Sequence, residues 1–146
     1  MRDAVARFVP DGASICMGAA LEALIPFAAS HELIRQGRRN LTLVGPISDM
    51  LFDQLVGAGS VGRIIAAWIG NVSAGLGHSF RLAVEQGIPH PLAVEDHPNL
   101  TIAVGLQAGA LGPPTSSPAR CSASTCSAPT RPSARPPTRG RGIRWC

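Results

Sequence analysis

Four short stretches hold the residues best placed to act on a ligand: Gly18-Ala19-Ala20, Gly45-Pro46-Ile47-Ser48, Gly70-Asn71-Val72-Ser73 and Glu95-Asp96-His97-Pro98-Asn99. Three of them open on glycine, which lets a backbone turn sharply or come close to a bound molecule. The fourth supplies two carboxylates and an imidazole. Plain readings stand beside these: glycines at strand ends are turn formers in any α/β domain, and Glu95-Asp96 also reads as a solvated strand end. Other chemistries fit less well. The run GNVSAGLG at 70–77 matches neither the dinucleotide nor the phosphate-loop fingerprint. His78, Ser79 and Asp96 suggest a hydrolase triad, but no GxSxG elbow is there to expose a serine. Cys121, Cys126 and Cys146 lack the usual spacing of zinc ligands, and Cys16 lies in a strand-like stretch where a buried, reduced thiol is expected. No metal site is expected. His31, beside Glu32 and Arg35, reads as a surface residue.

The elements that must position these stretches alternate in period. Asp3 to Val9 reads as a short helix, and Asp11-Gly12 turns the chain into a first strand, SICMG. A helix is expected from about Ile25, with Pro26 in its first turn, Leu33 and Ile34 on its buried face and Gly37 as its cap. The strand LTLVG follows. Ser48 is a candidate N-cap for a helix through MLFDQLVG that stops at Gly57 or Gly59. VGRIIAAWIG reads as a strand buried on both faces. A helix from Ser79 to Gln86 ends at Gly87, PLAVE is a fourth strand, and Asn99 to Leu111 is a helix rich in small residues. Strand-helix alternation with short connections implies an α/β fold: an open, mostly parallel twisted sheet with flanking helices. Ligands of such sheets bind outside the carboxyl ends of the strands, where the four stretches fall.

Charge divides the chain near Gly112. Residues 1–112 carry nine acidic residues against seven arginines, a net of −2, whereas 113–146 carry six arginines and no acid. The overall +4 is thus a sum of two unlike pieces and not a nucleic-acid footprint. One domain over 1–112 is expected, and 113–146, rich in proline, serine and arginine, reads as a disordered tail. No apolar run is long enough for a membrane span, and the N-terminal MRDAVARF lacks the pattern of a secretory signal. A cytoplasmic protein without membrane or nucleic-acid partners is the expectation.

The segment DGASICMGAALEALIPFAASHELIRQGRRNLTLVG, a strand ending in WIGN, and VEDHPNLTIAVGLQAGALG together resemble the alpha subunit of family I coenzyme A transferases, the group that includes glutaconate CoA-transferase. The resemblance covers essentially all of 1–112. It implies that family's fold, incomplete at the C-terminus, and a partner beta subunit whose glutamate attacks an acyl-CoA thioester and passes CoA to a second carboxylic acid. No catalytic residue is then expected in this chain, and no bound cofactor, coenzyme A thioester being a substrate. The implied substrate cleft comprises Gly18, Ala19, Gly70, Asn71, Ser73, Glu95 and Asn99, with glycine-rich strand ends offering backbone N–H donors to an oxyanion. Ala19-Ala20 stands where many members have glycine and phenylalanine. Two alternatives remain open: an acyl-CoA hydrolase of the same superfamily with Glu95 as base, and a non-catalytic truncated fragment. Translated from each codon's third base, the tail after Pro118 admits strings that resemble the family's continuation, so an out-of-frame segment is the expectation there.

Overall fold

A computed structural model describes residues 1–17, 25–48, 50–71, 75 and 77–111. The elements run α1 (Arg2–Phe8), β1 (Ser14–Cys16), α2 (Phe27–Arg35), β2 (Leu41–Ser48), α3 (Met50–Gly57), β3 (Val61–Ile69), α4 (His78–Gln86), β4 (Ala93–Asp96) and α5 (Asn99–Leu111). The four strands form one sheet in the order β1-β2-β3-β4, and every pair is parallel. The expected open parallel sheet is therefore present. The expected tail at 113–146 lies outside the described residues.

Alternation along the strands sorts the side chains between two faces. Leu41, Leu43 and Gly45 of β2 stand opposite Val61, Ile64 and Ala66 of β3 and are buried with them. This face meets the helices: α3 contacts β2, β3, α2 and α4, and Leu33, Leu51, Phe52, Leu55, Val56, Phe80 and Ala83 complete the core. The small size of Gly45 lets Phe52 approach, since a Cβ there would lie 3.3 Å from its Cζ. α5 contacts β2 and β3 as well, yet its buried Ile102 stands outside the core cluster, so α5 covers the other face.

Several helix ends follow their local signals. Gly37, Gly59 and Gly87 all take left-handed φ, which closes α2, α3 and α4 where a side chain with a Cβ is strained. Gly59, one of two expected stops, is thus the one that turns α3 off.

Other expectations need correcting. α2 begins at Phe27, with Pro26 as its N-cap, not inside its first turn. β1 is only three residues long, and Cys16 is exposed, because the alternation that buries Met17 turns the thiol away from the core face. β2 does not stop at Gly45 but runs to Ser48: β1 pairs only as far as Cys16 with Val44, so Pro46, lacking an N–H, lies beyond the reach of that neighbour. Ser48 is accordingly a strand residue, its buried hydroxyl donating a long 3.4 Å bond to the Trp68 carbonyl. β3 is not buried on both faces either, since Arg63 and Trp68 are exposed.

Candidate functional site

The carboxyl ends of β2 and β3 build one corner of the molecule. Gly70 follows β3 directly, and its N–H donates to the Ser48 carbonyl at 3.3 Å, which continues the pairing by one step. Asn71 and Gly75 exchange two backbone hydrogen bonds of 2.6 Å, and Gly75 takes φ 87°. Both N–H groups that a glycine-led strand end was expected to offer a ligand, those of Gly70 and Asn71, are already engaged inside the protein.

What Gly70 provides is room. A Cβ on it would lie 2.5 Å from Cζ2 and 2.7 Å from Cη2 of Trp68, so the indole is seated directly against the glycine. Across the sheet Trp68 stands opposite Ile47. The start of α4 is held by α3. Asp53 Oδ1 accepts a 2.8 Å hydrogen bond from the Phe80 N–H in the first turn of α4, supplying from a neighbouring helix the cap that Gly77 lacks.

Glu95 lies elsewhere. In register it sits opposite Ile65, five residues before Gly70, which at about 3.3 Å per residue is roughly 16 Å along the strand. Its carboxylate pairs with the Arg63 guanidinium, and the His97 Nε2 stands 3.9 Å away. Asn99 opens α5 and is exposed, the first turn being held by the Pro98 carbonyl, which accepts from Thr101 and Ile102. Among the described members of the expected cleft, then, Gly70 and Asn71 come together, and Glu95 and Asn99 belong to a separate edge of the sheet. Gly18, Ala19 and Ser73 lie outside the described residues. Trp68 and Asp53 were missed by the sequence reading. The only signal was the placement of an aromatic two residues before a glycine.

Charge is distributed unevenly between the two ends of the sheet. Arg38 and Arg39 precede β2 at its amino end, where Arg39 binds the Gly59 carbonyl. Nearby, Glu32 is buried and its carboxyl titrates below its ordinary value of 4.5: a hydrogen bond from Gln36 is the largest cause, burial opposes it, and Arg35 and Arg2 add to it. Among the described residues no cluster of three His, Cys, Asp or Glu side chains could hold a metal ion, and no helix is long and apolar enough to cross a membrane.

The profile of the coenzyme A transferase family matches residues 1–119. The chain belongs to the coenzyme A transferase family. It is 42% identical over 114 residues to the alpha subunit of 3-oxoadipate CoA-transferase from Pseudomonas knackmussii, a match that covers 78% of this chain and 40% of that protein. The alpha subunit of glutaconate CoA-transferase from Acidaminococcus fermentans is 32% identical over 115 residues, covering 78% of this chain and 35% of its own. The crystal structure of glutaconate CoA-transferase from that organism superposes with a TM-score of 0.71 at 32% identity, over 77% of this chain and 35% of the other. A variant of the decarboxylase AibA/AibB superposes with a TM-score of 0.69 at 30% identity, over 76% and 42%. The chain therefore spans well under half the length of the relatives it matches.

Proposed function

We propose that this chain is the alpha-subunit component of a CoA-transferase that moves coenzyme A between an acyl-CoA thioester and a carboxylic acid, inactive alone and completed by a beta subunit. The observation that carries the reading is the 42% identity, over 114 residues, to a transferase alpha subunit. A cytoplasmic location and the absence of any resident cofactor go with it. The reaction needs a nucleophile, and the beta subunit's glutamate takes that role: its carboxylate adds to the thioester carbonyl, CoA thiolate leaves, and an acyl-enzyme anhydride forms. CoA thiolate then attacks the glutamyl carbonyl of that anhydride and releases the first acid, leaving an enzyme-CoA thioester for the second acid to attack. Each addition creates an oxyanion that fixed donors must stabilise. Gly70 and Asn71 do not serve through their N–H groups, which are engaged; Gly70 makes room for the Trp68 indole beside the cleft, and the Asn71 side chain supplies a polar contact.

The hydrolase alternative is not favoured, because Glu95 sits about 16 Å along the strand from Gly70 and is held by Arg63. The test is reconstitution. The chain mixed with a beta subunit of the family should exchange CoA between an acyl-CoA and a free acid, while either component alone should not. Hydrolysis without exchange, abolished by Glu95→Gln, would reverse the assignment.

A further inference from the structure

We propose that α5 and the sheet face beneath it are the docking surface for the part of the alpha subunit that the relatives carry beyond the region matched here; the inference rests on family membership and not on the transferase reading. α5 has no polar face. No charged residue occurs between Asn99 and Leu111, Ile102 is the one buried residue of the helix, and Leu100, Val104, Leu106 and Leu111 are exposed, Leu111 to 71%. Such a helix belongs in an interior, because each exposed apolar side chain forgoes its favourable transfer from water. Its own propensity holds it poorly, since Gly105 and Gly109 both weaken a helix interior. Packing must make up the difference. A Cβ on either glycine would meet nothing within 4 Å, so there is room above them for a partner's side chains. Val44 and Ile65, paired across β2 and β3, are half-buried and stand outside the core cluster, on the same face as α5.

An all-parallel sheet needs cover on both faces. Residues of α2, α3 and α4 fill the core face, whereas among the described residues α5 is the one helix on the other, and its contacts are with β2 and β3. The chain's own residues 113–146 lack the composition to complete that layer: six arginines, seven prolines and a single aliphatic residue larger than alanine, Ile143, offer little apolar area. The relatives have the material. The family match runs past α5 to residue 119, yet the chain covers only 40% of the 3-oxoadipate subunit and 35% of the glutaconate subunit. More than half of each subunit therefore lies outside the match, joined to it covalently. An uncharged, apolar surface suits a permanent contact of that kind, which resembles a domain core cut in half. A second copy of this chain would bring only another lone helix and leave the sheet beside α5 uncovered.

Complementation in trans tests this. The full 146-residue chain is co-expressed with the part of the Pseudomonas knackmussii subunit that lies carboxyl-terminal to its match with this chain, and the purified product is followed by hydrogen exchange. A one-to-one complex should form, and the amides of 99–111 should exchange about tenfold or more slowly in it than in the chain alone. Val104→Glu combined with Leu106→Glu should abolish the complex yet leave the melting temperature of the chain by itself nearly unchanged, because both residues are exposed. Leu106→Met should keep the complex, which separates loss of the apolar surface from loss of the helix. Failure of the two parts to associate, or association that leaves 99–111 unprotected or survives the double substitution, overturns the inference. So does protection of 99–111 that grows with the concentration of the chain alone, which would make a second copy the occupant, or protection by a beta subunit without the carboxyl-terminal part. CoA exchange is measured separately, so the transferase reading stands or falls on its own.

Discussion

The trans cap on α4, supplied by Asp53 of α3, makes a quantitative prediction about stability. The Phe80 N–H has no acceptor within its own helix, and Asp53 supplies one at 2.8 Å from α3. Gly77 occupies the N-cap position in an extended conformation, φ −66° and ψ 114°, that any residue can adopt. It is glycine because a Cβ would lie 2.7 Å from Asp53 Oδ1. Removing the acceptor with Asp53→Ala orphans that amide and the positive helix end together, a loss of about 1–2 kcal/mol. At roughly 4–8 °C per kcal/mol for a domain of this size, the melting temperature should fall by about 4–16 °C. Asp53→Asn, which keeps an oxygen in place, should lose less. The sharper test is a double mutant. Gly77→Ser should destabilise the native chain by collision with Asp53, yet stabilise the Asp53→Ala chain by a few tenths to about 1 kcal/mol, since serine can then cap α4 itself. Circular dichroism melts of the four proteins measure the coupling. The same sign for Gly77→Ser in both backgrounds would refute the trans-cap argument.

Further outcomes follow from single sites. Gly70→Ala should displace the Trp68 indole, its new Cβ falling 2.5 Å from the ring, and shift tryptophan emission in a Trp145→Phe background; an unchanged spectrum would mean that the ring is not seated there. In the reconstituted enzyme Asn71→Ala should slow exchange roughly 10- to 100-fold, as loss of one polar contact worth about 1–3 kcal/mol, whereas a silent substitution would displace the cleft. Because Glu32 titrates below 4.5 when folded, its contribution to stability is complete above that value and is lost as the pH falls through the folded pKa. The urea midpoint should therefore drop on acidification below about pH 4.5, and Glu32→Gln or Gln36→Ala should flatten that dependence. Leu55→Ala, at a site with no exposure, should cost about 2–5 kcal/mol by denaturant unfolding.

Much of the fold was legible because its signals are local. Gly87 ends α4 as expected, since a left-handed glycine depends on little beyond its own neighbours, and Asn99–Leu111 is helical as expected despite Gly105 and Gly109 in its interior. The errors fall where a partner element decides. Gly45-Pro46 reads as a stop, and is one only if β1 extends far enough to need the missing N–H; β1 ends too soon. Glu95 looked like part of a strand-end site because it closes an apolar run, but its height on the sheet is set by pairing with Ile65, a fact of register. The same holds for Trp68, whose exposure comes from lying beyond the last pairing of β4 with β3, at Ala66. The Asp53 cap joins residues 27 apart in the chain, and no local pattern announces it.

Under the transferase reading, the defining act of this chain is to prepare an acyl-CoA for a glutamate held by the beta subunit. Mass spectrometry of the beta subunit, following incubation with acyl-CoA and rapid quench, measures that step without relying on turnover. A coenzyme A adduct on a single glutamate of the beta subunit, formed only when this chain is present and reduced by Gly70→Val, is the predicted result. An adduct of equal yield on the beta subunit by itself, or none when both chains and acyl-CoA are combined, would contradict it.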